Sequence, residues 1–303
     1  MRRLLVALVV LYGTSHEALA EPETPDLRIS ITNLLVGRIN PLGLEDQLRI
    51  GPQKRLYHSS SPILSDNFLF FGATPRVNPA FIKAGPSLEI QPLSILTLRF
   101  GFELMQIFGS FGELQSFASP LDNYSDSTLD KNTNAGRNYV TSGSHFTFEP
   151  TLRMKLGPVA LVNRFSIEYW AMNVHTGDTV IYESTLDTLV PARGWILSND
   201  LDLVYISKLK FVIGARYSVV HPLYQPGDFR PGEAQVNLNG HQRLGPLFAY
   251  TFFDHPFARF NKPTLVLIVN WYVDHRWRTG ADVSAGVPYA VLGFGFVSDL
   301  LIK

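Results

Sequence analysis

The sequence predicts an all-β fold, a membrane-spanning antiparallel up-and-down barrel of about ten strands, with about eight to twelve admissible. Three observations carry this. Of 303 residues, 46% are hydrophobic and 12% aromatic, and 17% are charged, below the roughly 25% usual in soluble domains. No stretch reaches the ~18 consecutive apolar residues of a spanning helix, the nearest candidate, Leu265 to Val273, being broken by Asn270. Segments of about ten residues alternate apolar and polar side chains with period two, as lipid-facing strands do. In lipid only helices and closed barrels satisfy every backbone polar group, so an apolar chain without the first calls for the second.

The charge balance narrows the partners. Twenty-six basic residues against 26 acidic ones give no basic footprint, so a nucleic-acid partner is excluded. The absence of cysteine removes disulfides, thiolate metal sites and Cys nucleophiles. At the N-terminus, Arg2 and Arg3 precede the apolar run Leu4 to Tyr12, and Ala18-Leu19-Ala20 offers a small-residue cleavage site. That is the pattern of an export signal. The expected division is therefore a signal peptide over 1–20, cleaved after Ala20, and an outer-membrane barrel over 21–303.

The strands follow in order. Ile82, Ala84, Leu88 and Ile90 share one face opposite Lys83, Ser87, Glu89 and Gln91, and after Pro92-Leu93 the pattern resumes with Leu96, Leu98, Phe100, Phe102 and Leu104. The same rhythm runs from Phe146 to Leu156, Leu161 to Tyr169, Trp195 to Tyr205, Leu209 to Val219, Leu244 to Phe252, Leu265 to Val273 and Leu292 to Phe296. Together these place strands at roughly 27–38, 79–91, 94–108, 144–156, 159–172, 193–206, 208–221, 240–253, 264–277 and 286–299, with bounds good to about two to four residues. Short connections near 92, 157, 207 and 258 alternate with long ones at 39–78, 109–143, 173–192 and 222–239, the asymmetry between periplasmic turns and external loops.

The inward faces carry Lys83, Arg99, Arg153, Lys155, Arg164, Lys210, Arg216 and Arg243 with Glu89, Glu103, Glu149, Glu168, Asp200 and Asp202. This balanced charge network is expected to pair across a narrow, filled or loop-plugged lumen. Tyr169, Trp195, Tyr205, Tyr250, Trp271, Tyr272 and Trp277 lie near strand ends, where aromatic girdles mark the lipid–water boundaries.

No catalytic constellation emerges. Asp274 and His275 are adjacent and would point to opposite faces of a strand, unlike the Asp-x-His of barrel proteases resembling omptins. Ser142, Ser144 and His145 lack a designated third member. Asp122, Asp126 and Asp130, four residues apart, do not match a calcium loop, and Asp254-His255 carries no motif. No cofactor, metal site or enzymatic activity is expected.

The whole expected mature span, 21–303, resembles the bacterial outer-membrane β-barrels, on its export signal, alternating strands and the strand Val291-Leu292-Gly293-Phe294-Gly295-Phe296. That class usually ends on an aromatic residue, whereas this chain ends Leu300-Leu301-Ile302-Lys303. Asn40-Pro41-Leu42-Gly43-Leu44-Glu45-Asp46-Gln47 and Gly85-Pro86-Ser87-Leu88-Glu89-Ile90 are similar to barrels of envelope-spanning gliding-motility and spore-coat machines. The resemblance implies a non-enzymatic, structural or complex-forming envelope component, contacting outer-membrane lipids and periplasmic or outer-membrane protein partners. A small passive, porin-like channel is the alternative, and a barrel hydrolase with a rim site the third reading.

Overall fold

A computed structural model describes residues 26–255 and 259–301. The expected signal peptide and its cleavage site lie outside these residues. The chain forms a closed antiparallel barrel of twelve strands. In chain order these are β1 (Leu27–Ile39), β2 (Gly43–Lys54), β3 (Phe68–Ala73 and Arg76–Val77), β4 (Phe81–Ala84 and Pro86–Leu93), β5 (Leu96–Phe108) and β6 (Val140–Leu156). There follow β7 (Val159–Met172), β8 (Arg193–Ile206), β9 (Phe211–Leu223), β10 (His241–Thr251), β11 (Asn261–Asp274) and β12 (Tyr289–Leu301). Each strand pairs with its neighbours in sequence, and β12 returns to β1 from Arg28↔Leu301 to Ile39↔Ala290, leaving no open edge.

The expected ten strands are corrected to twelve. The extra pair, β2 and β3, fills the segment read as a long loop over 39–78. Alternation was obscured there by what each face carries. The outward face of β2 includes Asp46 and Pro52, and the inward face of β3 carries Phe70, fully buried under the Arg49 guanidinium at 3.4 Å from its ring centroid. Only glycine fits at the break in β4, since a Cβ on Gly85 would stand 1.9 Å from the Phe102 carbonyl oxygen of β5. The two stretches that resemble motility-machine barrels are thereby placed in the β1–β2 hairpin and in this break.

Two added strands preserve the phase of the connections. One end of the barrel has the connections at 55–67, 94–95, 157–158, 207–210 and 252–260, and the other those at 40–42, 78–80, 109–139, 173–192, 224–240 and 275–288. The long-loop rim is therefore uneven: low over β1–β4, tall from β5 round to β12. Helix α1 (Asp126–Asn134), N-capped by Ser125, sits in the longest of these loops.

The outer wall is apolar. Leu35, Phe71, Leu104, Met154, Leu203, Ile213, Leu267 and Leu292 all point outward with 42–65% of their surface exposed. Trp195 and Tyr205 lie outward at the two ends of β8, 41% and 46% exposed. Their separation along a tilted strand corresponds to a height of roughly 25 Å, the thickness of the apolar band of such barrels. Tyr169 packs beside Trp195 at 4.9 Å between ring centroids, Trp271 lies at the long-loop end of β11 and Tyr250 at the short-turn end of β10.

Four expectations need correction. β11 ends at Asp274, so Trp277 lies in the following loop, edge-on to Tyr124 at 5.8 Å, away from the lipid boundary. Tyr272 points inward and is 5% exposed. Lys210 sits in the short turn after β8, with a left-handed φ of 66°, off the inward face, and Lys155, although in the inward register of β6, is exposed at its short-turn end beyond the buried network. Because Leu267 lies at the middle of β11, Leu267→Arg is expected to destabilise the barrel by about 2–4 kcal/mol. Urea unfolding in lipid vesicles measures this; a loss near zero would place that face away from acyl chains.

Candidate functional site: a charged lumen crossed by a hairpin

The loop between β7 and β8 folds inward. Within it Val180–Glu183 pairs with Thr188–Pro191, and Ser116–Phe117 from the preceding long loop adds a third short strand. Every residue from Val180 to Ala192 is buried. The sequence favours this, because two β-prone apolar runs, Val180-Ile181-Tyr182 and Leu189-Val190, flank the polar turn Ser184-Thr185. Ile181 and Val190 pack on Phe81, Met105, Trp170 and Ile196 of the wall.

The tip of the hairpin reaches the opposite wall. Arg38 of β1 donates to Ser184 at 2.9 Å, the Leu186 carbonyl lies 2.6 Å from Nε2 of His241 on β10, and Thr188 donates to the Asn239 carbonyl at 2.7 Å. The main fastening is Asp187, fully buried. It accepts hydrogen bonds from Tyr182 (2.9 Å), Tyr272 (2.6 Å) and Arg278 (2.9 Å to Nη2, with Nε also in contact). Burial works against its ionisation, but the hydrogen bonds and charge of Arg278 and the hydroxyl of Tyr272 more than offset this and hold its carboxyl below the ordinary carboxylate range.

His275 closes the cluster. Its Nε2 lies 2.9 Å from the Asp187 carbonyl oxygen, while its Nδ1 accepts from the backbone N–H groups of Trp277 and Arg278. Burial, reinforced by Arg278 and Arg243 against the pull of Asp187, holds it below its ordinary value, so the neutral ring is the native form. A base with a depressed folded-state value contributes stability above its unfolded value of about 6.5, and loses it as pH falls further. The hairpin fastening is therefore expected to weaken below about pH 6.5. Hydrogen exchange at 180–191 as a function of pH measures this, and His275→Gln should flatten the profile.

Above the hairpin the other long loops interlock. Arg278 forms a bidentate pair with Asp126 at 2.8 and 2.9 Å, Arg230 does so with Asp122 at 2.7 Å, and Arg276 donates to the Leu121 carbonyl at 2.7 Å. Asp122 and Asp126 thus serve as loop fasteners. Among the described residues no group of three or more His, Asp or Glu side chains is disposed to hold a metal.

Beneath the hairpin, the charges pair along the wall. Arg49 of β2 meets Glu89 of β4 at 2.9 Å, and Arg99 of β5 meets the same carboxylate at 3.5 Å. Arg76 of β3 meets Glu103 of β5 at 3.2 Å, and His145 of β6 lies 3.1 Å from Glu103 and 2.8 Å from Glu168 of β7. Arg164 of β7 meets Asp202 of β8 at 2.8 Å, and Arg216 of β9 meets Asp202 at 2.6 Å and Asp200 at 3.2 Å. All these partners sit on adjacent or next-adjacent strands, not across the lumen as expected, because the twelve-strand circumference separates opposite walls. Arg153 donates to Thr97 at 2.6 Å, and Glu149 lies buried beside it on β6. Lys83 reaches the hairpin, at 3.5 Å from Glu183.

Two features remain. A small recess, partly open to solvent, lies under the hairpin, lined by Arg76, Arg164, Trp170, Glu183, Asp200 and Arg243 among others. Toward the short-turn end, the inner faces of β7–β12 turn apolar, with Val162, Val204, Leu247, Val266, Ile268 and Val291 forming one buried cluster. The sequence reading missed Arg49, Arg76, Glu183, Asp187 and Arg278. The first two lie in the unrecognised strands; for the hairpin, the signal was a strand–turn–strand pattern inside a segment set aside as loop.

A closed barrel with an apolar outer belt and charged inner wall, crossed by one of its own loops, is a β-barrel of the bacterial outer-membrane type. No protein family and no curated protein matches the chain at a significant level. Among solved structures it is similar to the KdgM porin (8% identity, 90% of this chain and 99% of that one, TM-score 0.41) and the NanC porin (9%, 89% and 100%, 0.39). It is also similar to OccAB1 of Acinetobacter baumannii (10% identity, 92% of this chain and 66% of that one, TM-score 0.42).

Proposed function

We propose that the protein is a passive, non-enzymatic outer-membrane channel for small solutes, with the hairpin 180–191 as its constriction. The observation that carries this is the direction of the ionic pairs. A barrel filled for purely structural ends would be expected to tie its opposite walls together, whereas these charges satisfy one another along the wall and leave the bridging to one loop. Eight strands are just filled by side chains and about sixteen hold an open channel, so twelve strands with a folded-in loop fit a narrow conduit. A steady, linear current–voltage relation from the purified barrel in a planar bilayer is the expected result. Silence from both the intact barrel and a variant lacking the hairpin would overturn the reading. Export by a cleaved N-terminal signal belongs to the same proposal, and N-terminal sequencing of the envelope form, beginning at Glu21, tests it.

The interlocked outer loops favour a second role, as a docking face for envelope partners. Arg230–Asp122 and Arg278–Asp126 hold polar loops in one fixed surface. Cross-linking in intact envelopes tests this; recovery of the barrel without any protein partner would count against it.

A further inference from the structure

Arg243 of β10 stands apart from the other lumen cations. It is 4% exposed, yet no nitrogen of its guanidinium has a hydrogen-bond partner and no carboxylate lies within ion-pair distance among the described residues. The Tyr289 and Tyr272 rings, at 4.2 and 5.6 Å, offset part of the cost of burying its charge. The carboxylates that act on it from farther off are already paired, Asp200 with Arg216 and Asp187 with Arg278. A buried cation in this state is costly, and one anion beside it would balance the charge.

The place for that anion is the recess beneath the hairpin. Its walls come from several elements, with Arg243 supplied by β10, Trp170 by β7 and Thr185 by the hairpin turn. The Trp170 indole N–H and the Thr185 hydroxyl are likewise buried without a partner, so donors gather here from both the wall and the hairpin. The carboxylates at its edge are engaged, Glu168 by His145 and Glu183 by Lys83. A free volume of about 40 Å³ decides the size of the guest. One water needs roughly 10–15 Å³ on this measure, so about three or four non-hydrogen atoms fit. That excludes phosphate, sulfate and any sugar acid. A planar oxyanion of single charge matches both the volume and the flat fork of a guanidinium.

We infer that the recess is a binding site for a small monovalent oxyanion of formate or nitrate size, held by the Arg243 guanidinium and tied to the hairpin through Thr185, with Trp170 as a further donor. One side of the site is barrel wall and the other is hairpin, so occupancy steadies the hairpin. The inference deepens the channel reading by naming what holds its constriction in place, and it rests on that reading only for an effect on current.

Isothermal titration of the detergent-solubilised full-length barrel with sodium formate tests it, with sodium nitrate, formamide and sodium sulfate as comparison probes. Saturable formate binding is expected. Nitrate should compete with it, uncharged formamide should bind at least about tenfold more weakly, and sulfate should displace nothing. Arg243→Gln should weaken formate by about 10- to 100-fold. Trp170→Phe, which removes the N–H and keeps a ring, should weaken it by about 2- to 10-fold. Hydrogen exchange across 180–191 should slow as formate saturates, and Thr185→Val should abolish that slowing. Thr185 lies in a loop that adds no strand to the wall, so this variant carries the test if Arg243→Gln does not fold. No saturable formate binding, formamide as tight as formate, displacement by sulfate, or an unchanged affinity in Arg243→Gln overturns the site. Full slowing in Thr185→Val overturns the tie to the hairpin. None of these measurements reads current: a conducting barrel that ignores formate sinks the site alone, and a silent barrel that binds it sinks the channel alone.

Discussion

Replacing residues 173–192 by a short Asn-Gly turn is expected to raise single-channel conductance by about tenfold, because barrel width then limits the current and no loop does. The barrel should survive the excision. Its twelve strands keep their full ladder of hydrogen bonds, including the β12–β1 closure, and the hairpin contributes no strand to the wall. The resistance of the folded barrel to unfolding in detergent provides the control. If the excised protein is folded and conducts no more than the parent, the hairpin is not the constriction, and the obstruction must lie among the outer loops or in the wall.

The second large effect is expected at Asp187. Asp187→Asn keeps the shape but removes the charge that Arg278 faces inside the loop cluster. Breaking a buried pair from one side costs on the order of 3–5 kcal/mol, since the remaining ion is left short of a partner. Asp126 retains a bidentate contact with Arg278, which places the expected loss near the lower figure. It should appear as faster hydrogen exchange across 180–191 and as noisier, more frequent openings. The carboxyl titrates below the ordinary range, so its contribution is complete above about pH 4 and is lost only in stronger acid. Any weakening between pH 5 and 7 is therefore attributable to the two buried imidazoles that meet the hairpin, His275 and His241, and Asp187→Asn should leave that part of the profile in place. A double-mutant cycle with Arg278→Gln measures the coupling; additive effects would mean that the two side chains are neighbours without being fasteners.

Much of the wall was legible in the sequence. Period-two alternation located β7 and β8 to the residue and most other strands within a few positions, because a face in lipid tolerates few polar side chains and a lumen face few apolar ones. The pattern failed where that rule is relaxed. β2 places Asp46 outward near the rim, where Asn33 donates to it at 2.9 Å, and β3 buries Phe70 against Arg49. On β10 and β11 the alternation placed the outward faces correctly, but the apolar inward residues Leu247 and Ile268 gave no sign that they join one buried cluster inside the barrel. The ion-pair directions were not readable at all. They depend on circumference, and the strand count that sets it was short by one hairpin. Asp187 and Arg278 were hidden for a different reason: 91 residues apart, they are joined only because two long loops fold into the same opening.

The low side of the rim gives the proposed channel a direction. Where the connections at 40–42 and 78–80 are short, a second recess of about 330 Å³ opens between Arg38, Glu45, Gln47 and Asn78, with Thr185 from the hairpin turn at its edge. The tall loops shield the remaining circumference like a raised collar. If the barrel conducts as proposed, a solute arriving at this rim meets it obliquely, over the lip at β1–β4, and the first group it disturbs is the turn that Asp187 pins down.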